Sequence, residues 1–240
     1  MSAPVAVVVP ALDEAERIAE TIAAAATIEG VDLVVVVDDG SADATSGIAR
    51  AAGATVVRHP RNRGKAAAMQ TGGDVVRVHD AAHGTEHVLL FVDADLRGTA
   101  VETAPLTLPV LAGEADMSIA ILPPQSAPGG GRGIVVGLAR RSIEQATGWT
   151  PTQPLSGMRC LTRAAFDAAT PLARGWGVET ALTIDLLQRG YRVVEVPCDL
   201  QHRVSGAGWR AQLHRAKQYR DVALAVGARR ARALLAARRG

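Results

Sequence analysis

The sequence has few aromatic residues, only two cysteines and no long apolar run. Three tryptophans, two tyrosines and two phenylalanines offer little surface on which bases could stack, which argues against nucleic-acid binding. Cys160 and Cys198 form no CxxC pair, so they indicate neither a zinc site nor a disulfide framework, and both are expected to be buried. Nothing approaches the roughly 18 apolar residues that cross a bilayer, and the first residues do not follow a signal-peptide pattern. A cytoplasmic location is therefore expected.

The charge of the chain is small in total but unevenly distributed. The 240 residues carry a formal net charge of +2, while residues 203–240 hold ten Lys or Arg against a single acid, Asp221. Such asymmetry indicates an anionic partner. We predict one main domain over residues 1–202. Residues 203–240 are predicted to form a flexible loop and a basic helical extension.

Short Val-rich runs predict the central strands. Residues 5–9, 33–37 and 88–92 are nearly continuous apolar segments, the pattern of parallel strands that are covered on both faces. Further strands are predicted at 55–58 and 191–196, and helices at 13–28, near 43, after 64, at 134–146, at 177–188 and beyond about 209. Asp13 is expected to cap the first helix, with Glu16 returning the hydrogen bond. This order predicts an α/β fold with a doubly wound, mainly parallel sheet.

Polar residues follow three of these strands where each strand ends. The segments are Pro10-Ala11-Leu12-Asp13-Glu14, Asp38-Asp39-Gly40-Ser41 and Asp93-Ala94-Asp95. In an open parallel sheet, ligands bind outside the carboxyl ends of the strands, so these residues are predicted to border one site.

Asp93 and Asp95 are candidate metal ligands. One residue separates them, so in an extended segment both carboxylates would emerge on the same side. Mg²⁺ or Mn²⁺ prefers such oxygen ligands and can bridge the phosphates of a leaving diphosphate. A basic turn, Arg61-Asn62-Arg63-Gly64-Lys65, precedes the third helix and suits a phosphate group.

Several motifs in this order resemble the family 2-type glycosyltransferases with the GT-A fold, a nucleotide-diphospho-sugar transferase fold. They are VVVPALDEAERI, VVDDGS, NRGKAAAMQTG, LLFVDADL, PLSGMR and GWGVE, and they run from about Val7 to Glu179. Within that class PALDE, the GGGRG loop, QPLSG, GWGVE and a late histidine are similar to the glucosyl-3-phosphoglycerate synthases. The resemblance implies a metal-dependent hexosyltransferase that uses a UDP-sugar, UDP-glucose being favoured, and Mg²⁺ or Mn²⁺.

The same resemblance makes residues 1–202 the catalytic domain, with a donor-binding half over about 1–98 and an acceptor half over about 99–202. It also assigns roles to individual residues. The donor would be bordered by Pro10, Ala11, Leu12, Glu14, Asp38, Asp39 and Ser41. Lys65 would approach the diphosphate, Asp93 the ribose, and Asp95 and His202 would bind the metal. The remaining histidines form no motif.

The acceptor side is less fully specified. Glu179 is the leading acidic candidate, but Thr180 follows it where inverting relatives often have the Asp that acts as general base, so the stereochemical outcome stays open. Anionic acceptors, 3-phosphoglycerate among them, would be held by Gly131, Arg132, Ser156, Gly157 and Arg159, since arginine binds phosphate and carboxylate through paired hydrogen bonds.

Other interpretations remain at this point. PLSGMRCLTR also resembles dolichyl-phosphate mannosyltransferases, which would make the acceptor a polyprenyl phosphate and place the basic end on a lipid surface, although its helices carry few large apolar residues. A nucleotide-sugar-binding module without turnover and a nucleotidyltransferase are the alternatives of another class. A homodimer is expected.

Overall fold

A seven-stranded mixed sheet organises the chain. This computed structural model describes residues 3–123, 133–200 and 219–229. The strand order is β3-β2-β1-β4-β6-β5-β7, and every neighbouring pair is parallel except those that β6 makes with β4 and β5. The strands are β1 Val5–Ala11, β2 Val31–Asp38, β3 Thr55–Arg58, β4 Val88–Phe91, β5 Met117–Ile121, β6 Arg159–Leu161 and β7 Val193–Pro197.

Helices cover both faces of this sheet. They are α1 Ile18–Ala25, α2 Thr45–Ala51, α3 Lys65–His83, α4 Thr107–Leu111, α5 Ile134–Thr147, α6 Arg163–Ala169 and α7 Val178–Gln188. A 3-10 segment spans Arg97–Leu106, and residues 219–229 form a further helix, α8. In the described parts of the chain, none of the helices is both long enough and apolar enough to cross a bilayer.

Alternate residues of β1 face two separate cores. Val5, Val7 and Val9 pack with α1 and the 3-10 segment, whereas Ala6 and Val8 pack with α3. Because both faces are covered, these strands need no polar alternation, and burying each valine contributes roughly 1.5–3 kcal/mol. The predicted fold class, including strands β1, β2, β3 and β4, is confirmed.

The predicted start of the first helix is wrong. Asp13 adopts a left-handed φ of 55°, its Oδ1 accepts a hydrogen bond from the backbone N–H of Ala42, and α1 begins only at Ile18 without a side-chain cap. The Asp13 carboxylate therefore joins the loop after β1 to the loop after β2. This contact brings two of the acidic turns together at the edge of the sheet.

Candidate functional site

Two adjoining cavities open where the parallel strands end. The larger, which we call the rim cavity, has a volume of about 590 Å³. The smaller, which we call the side cavity, measures about 370 Å³. Lys65, Asp93 and Glu179 line both of them and so form a shared wall. Volumes of this order suit small-molecule ligands.

The rim cavity is lined by all three predicted loops. Its walls include residues from the turn after β1, the segment after β2, the start of α3, the turn after β4 and the start of α7: Pro10, Ala11, Leu12, Glu14, Asp39, Asn62, Gly64, Lys65, Asp93, Ala94, Asp95, Gly175, Val178 and Glu179. The three segments predicted to border one site therefore do meet at one cavity.

Lys65 is the electrostatic centre of the shared wall. As the first residue of α3, it places Nζ 2.7 Å from Asp93 Oδ1 and 3.5 Å from Glu179 Oε1. Burial disfavours the ammonium charge, but the two neighbouring carboxylates outweigh this and raise the pKa of Lys65 above its usual value. Lys65 therefore stays protonated at any physiological pH.

Asp93 and Asp95 lie in a turn that follows β4. The segment is not extended, as the argument from spacing assumed, yet both carboxylates line the rim cavity. Asp93 is held by Lys65, whereas Asp95 lies close enough to Arg17 to raise the pKa of that guanidinium, although less than Glu14 does. Within the described residues, Asp93, Asp95 and Glu179 do not gather three ligand atoms around one point. A hard cation would thus take few ligands from this part of the protein and complete its shell with water and phosphate.

Asp39 organises the basic turn before α3. Its Oδ1 accepts from the backbone N–H of Arg63 at 2.9 Å and lies 2.6 Å from His59 Nδ1, and its Oδ2 accepts from Gly64 at 2.7 Å. Two of the amides predicted to bind phosphate are therefore already taken by this carboxylate. These hydrogen bonds fix the conformation of the turn. Lys65, the residue that follows it, is then the group of this segment that is placed to contact a ligand.

Asp38 and Ser41 are buried beneath the rim cavity and do not line it. Asp38 accepts hydrogen bonds from the backbone N–H of Ser41 at 2.7 Å and from the Ser46 hydroxyl, while Ser41 Oγ accepts from the backbone N–H of Asp13 at 3.0 Å. Both residues were predicted to border the donor. Their contacts favour a role in shaping the turns that do.

The end of β1 and the turn that follows it form one wall of the rim cavity, with a single charged group. Pro10, Ala11 and Leu12 line the rim cavity, and Leu12 is 38% exposed although it is apolar. Glu14 also lines it and pairs with Arg17 at 2.8 Å. An apolar wall with a polar group at its edge suits a base and a ribose.

The side cavity is lined by the segment before β6. Gln153, Pro154, Leu155, Ser156, Gly157 and Met158 contribute, together with Leu122 and Val136. Ser156 and Gly157 were predicted on the acceptor side, and both lie here. A Cβ on Gly157 would come within 2.3 Å of Lys65 Nζ and 3.0 Å of both Asp93 carboxylate oxygens, so a larger residue here would displace the Lys65 ammonium.

Arg159 lies under this segment and lines neither cavity. Its side chain is fully buried, and it donates to the carbonyls of Ser156 and Pro154 and to the Thr183 hydroxyl, at distances of 2.9, 3.3 and 2.9 Å. Burial lowers the pKa of Arg159 to about 10, and the distant carboxylates of Glu179 and Glu195 only partly oppose this. The geometry therefore favours a positioning role rather than the predicted direct grip on an acceptor.

Three predicted residues lie outside the described parts of the chain. They are Gly131 and Arg132 of the glycine-rich segment and His202, the predicted metal ligand.

Some lining residues were missed at the level of sequence. Gln153 and Pro154 belong to the QPLSG motif, and Gly175 and Val178 belong to GWGVE, so the motifs themselves pointed to them. Leu122 and Val136 carried no such signal, because apolar residues that flank a loop look like ordinary core residues.

Sequence comparison identifies a protein family and several relatives that this chain resembles. Residues 6–124 match the family model described as Glycosyl transferase family 2. Glucosyl-3-phosphoglycerate synthase of Mycolicibacterium smegmatis is 30% identical over 205 residues, 77% of this chain and 64% of that protein. Glycosyltransferase AglJ of Haloferax volcanii is 29% identical over 218 residues, 85% of this chain and 65% of that protein. The chain thus spans less than two thirds of the length of either relative.

Solved structures are similar over almost the whole chain. The glucosyl-3-phosphoglycerate synthase of Mycobacterium tuberculosis, in complex with Mn²⁺, UDP and phosphoglyceric acid, superposes with a TM-score of 0.71 at 27% identity and covers 95% of this chain and 78% of that one. The same enzyme with Mn²⁺, UDP-glucose and glycerol 3-phosphate gives a TM-score of 0.69 at 28% identity, covering 95% of this chain and 80% of that one.

Proposed function

We propose that this chain, which belongs to glycosyl transferase family 2 and has the GT-A fold, transfers a sugar from a nucleoside diphosphate to a small anionic acceptor. The favoured donor is UDP-glucose, the favoured acceptor is a phosphorylated acid such as 3-phosphoglycerate, and the reaction requires Mg²⁺ or Mn²⁺. Similarity to enzymes whose structures hold UDP, Mn²⁺ and phosphoglyceric acid supports each part.

The charge of the rim cavity carries the proposal. Its described lining contains five carboxylates, those of Glu14, Asp39, Asp93, Asp95 and Glu179, and one ammonium, that of Lys65. A diphosphate would be repelled by this surplus of negative charge unless a cation of higher charge entered with it.

A hard divalent ion fits this donor set. Asp95 offers a carboxylate that could coordinate the ion. Asp93 accepts a hydrogen bond from Lys65, so it would stabilise the ion through its negative charge or through a ligand that both contact. When bound, such an ion neutralises the diphosphate oxygens on which negative charge develops as the sugar departs. His202 completes the predicted ligand set and lies outside the described residues.

The protein's own groups then have distinct tasks. The wall of Pro10, Ala11 and Leu12 receives the nucleoside, and Lys65 directs its positive charge toward the diphosphate. Since Lys65 and Glu179 line both cavities, the sugar would lie against the shared wall and the acceptor would approach from the side cavity. Glu179, 6% exposed in the first turn of α7, is placed to orient the sugar or the attacking hydroxyl.

The decisive experiment compares one variant with a matched control. The wild type, Asp95→Ala and Asp74→Ala are incubated with UDP- or GDP-sugars, Mn²⁺ or Mg²⁺, and acceptors that include 3-phosphoglycerate and a polyprenyl phosphate, and products are identified by mass. Asp74 is an exposed aspartate of α3, away from both cavities. We expect Asp95→Ala to lower turnover at least about 100-fold, in line with the loss of a main electrostatic group, and Asp74→Ala to keep full activity.

Each outcome has a clear meaning. Full turnover by Asp95→Ala would contradict the metal assignment, and donor binding by the wild type without any product would indicate a binding module. Transfer only to the polyprenyl phosphate would move the acceptor to a lipid carrier. The homodimer, the cytoplasmic location and the domain boundary stay predictions.

A further inference from the structure

A cluster of histidines and aspartates lies at the edge of the sheet opposite the two cavities. His79, Asp80 and His83 occupy the last turns of α3, His87 immediately precedes β4, and Asp32 is near the start of β2. Because α3 begins with Lys65 in the shared wall, a rise of 1.5 Å per residue places His79 about 21 Å along the helix from it. The cluster is therefore separate from the predicted donor site.

His87 lies between two carboxylates in the interior. It is 1% exposed, its Nδ1 contacts Asp80 Oδ1, and its Nε2 lies 2.7 Å from Asp32 Oδ1. Asp80 also accepts hydrogen bonds from the Thr85 hydroxyl at 3.1 Å and from the backbone N–H of His87 at 3.2 Å. Both nitrogens of one imidazole are thus directed at acceptors.

His79 adds a nitrogen that lacks a hydrogen-bond partner. Its Nδ1 is buried and has no such partner among the described residues. The His79 ring meets His87 edge-on at a centroid distance of 5.5 Å and stacks on His83 at 4.1 Å. A buried polar atom without a partner costs roughly 1–3 kcal/mol, so its presence next to a second imidazole and a carboxylate requires a reason.

The donor atoms lie close enough for one ion. One ligand atom each from His79, Asp80 and His87 lies within 4.8 Å of the others. Among the described residues, this is the one group of three or more His, Cys, Asp or Glu side chains close enough to share a metal ion. Ligand atoms around a tetrahedral zinc are roughly 3.4 Å apart, so small side-chain rotations would close the site. Two imidazoles and a carboxylate suit Zn²⁺, whereas the carboxylates of the rim cavity suit Mg²⁺ or Mn²⁺.

We propose that His79, Asp80 and His87 bind a zinc-class transition-metal ion that fastens the end of α3 to the start of β4. The ion would take the place between Asp80 and His87 Nδ1 that a proton holds otherwise. His87 would keep its Nε2 hydrogen bond to Asp32, the carboxylate–histidine–metal arrangement that orients metal-bound imidazoles. The unpartnered His79 Nδ1 or the other nitrogen of that ring would supply the third ligand.

The test measures zinc directly, without sugar or acceptor. Full-length protein is stripped with a chelator, titrated with Zn²⁺ by calorimetry, and its metal content is measured after gel filtration. Co²⁺ substitution gives a visible absorption that reports coordination by nitrogen. The variants are His79→Ala, with His83→Ala as the matched control from the same helix, and Asp95→Ala to exclude the rim cavity. His83 is exposed, and its Nδ1 lies 2.8 Å from the carbonyl of His79.

We expect the wild type, His83→Ala and Asp95→Ala to bind one zinc per chain. In His79→Ala the affinity should fall at least about tenfold, and the melting temperature should no longer rise with zinc. Absence of zinc binding by the wild type would overturn the proposal and leave a hydrogen-bonded cluster without an ion. Equal loss in His79→Ala and His83→Ala would also overturn it, because it would assign binding to a surface pair of histidines four residues apart.

Discussion

Lys65 is the residue on which the shared wall depends. It is held by two carboxylates that come from different elements, Asp93 after β4 and Glu179 at the start of α7. A lysine at the first position of a helix also adds its charge to the positive end of the helix dipole, which favours an anion in front of it. Any change that moves this ammonium should disturb both cavities at once.

Gly157→Ala tests this dependence without removing a charge. The added methyl would lie 2.3 Å from Lys65 Nζ and would push the ammonium out of place. We expect the catalytic efficiency toward the donor to fall about tenfold or more, with unfolding free energy changed by about 1 kcal/mol or less, since a flexible side-chain end can yield. The measurement is steady-state kinetics together with urea unfolding.

The control for this change is Gly47→Ala. Gly47 lies within α2, and a Cβ there would meet no atom within 4 Å. Alanine at this position should leave the kinetics unchanged and raise helix stability slightly. If Gly157→Ala were as active as this control, the shared wall would not limit the reaction.

Arg159→Met tests the buried guanidinium. Methionine keeps the length of the side chain but leaves the carbonyls of Pro154 and Ser156 without their donor. We expect the free energy of unfolding to fall by about 1–3 kcal/mol and the acceptor KM to rise while donor affinity stays constant. Urea unfolding and calorimetry with the donor separate these effects. Arg189→Met, at an exposed position, should change neither.

At the scale of elements, α8 supports the segment that carries Glu179. Val222 and Val226 of α8 pack in a small core with α5 and α7, and Arg229 donates through Nε to Asp185 of α7 at 2.9 Å and also contacts it through Nη2. A Cβ on Gly177 would come within 2.7 Å of both Ala225 Cβ and the Asp221 carbonyl, so the helix lies directly on this turn. The acidic residue of the shared wall therefore depends on a helix outside the sheet.

Arg229→Ala should loosen that support. Because the ion pair with Asp185 is largely buried, its loss is expected to lower the free energy of unfolding by about 1.5–3 kcal/mol and to reduce turnover through a less ordered Glu179. Arg220→Ala is the matched control, since Arg220 belongs to the same helix and its side chain is exposed where it pairs with Asp221. Thermal unfolding and turnover would both have to be unchanged in Arg229→Ala to contradict this role.

Sequence reasoning recovered the elements whose signals are local. The Val-rich runs predicted β1, β2 and β4, and the turn residues before Lys65 predicted the start of α3. It missed β5, β6, α4, α6 and the 3-10 segment. β6 has three residues and runs antiparallel between two other strands, so its only signal is a pairing between distant segments.

The sequence predicted which residues belong to the site better than it predicted which of them touch one another. The acidic turns and Lys65 follow from strand ends and motifs, whereas the wall they form joins positions 28 and 114 residues apart, as Lys65 to Asp93 and Lys65 to Glu179 do. Asp38 and Ser41 show the converse, because a polar residue at a strand end can face the protein interior as well as the ligand. The His79 cluster was missed although His79, Asp80 and His87 lie within nine residues of one another, because their spacing matches no standard metal motif and Asp32, which supports His87, is 55 residues away.

At the scale of the whole molecule, buried carboxylates should set the response to acid. Burial alone would raise the pKa of Asp38, but hydrogen bonds from Ser41 and Ser46 outweigh it and hold the pKa below its usual value. The hydrogen bonds and charge of Arg192 likewise lower the pKa of Asp116. Groups with a lowered native pKa stabilise the fold above their unfolded pKa, and this stability is lost as the pH falls through the native value.

We therefore expect the free energy of unfolding to be steady near neutral pH and to decline below about pH 4. Asp38→Asn should be less stable at neutral pH and should show a shallower decline, because it has one proton fewer to take up. Urea unfolding from pH 7 to pH 3 measures both. If the free energy of unfolding of Asp38→Asn fell with pH as steeply as that of the wild type, Asp38 would not contribute to the acid response.

The wall formed by Lys65, Asp93 and Glu179 has a kinetic corollary. If the donor occupies the rim cavity while the acceptor occupies the side cavity, sugar would pass directly from one to the other across this wall. Initial-rate plots for such a catalyst converge as the second substrate is varied, and no sugar remains on the protein between turnovers.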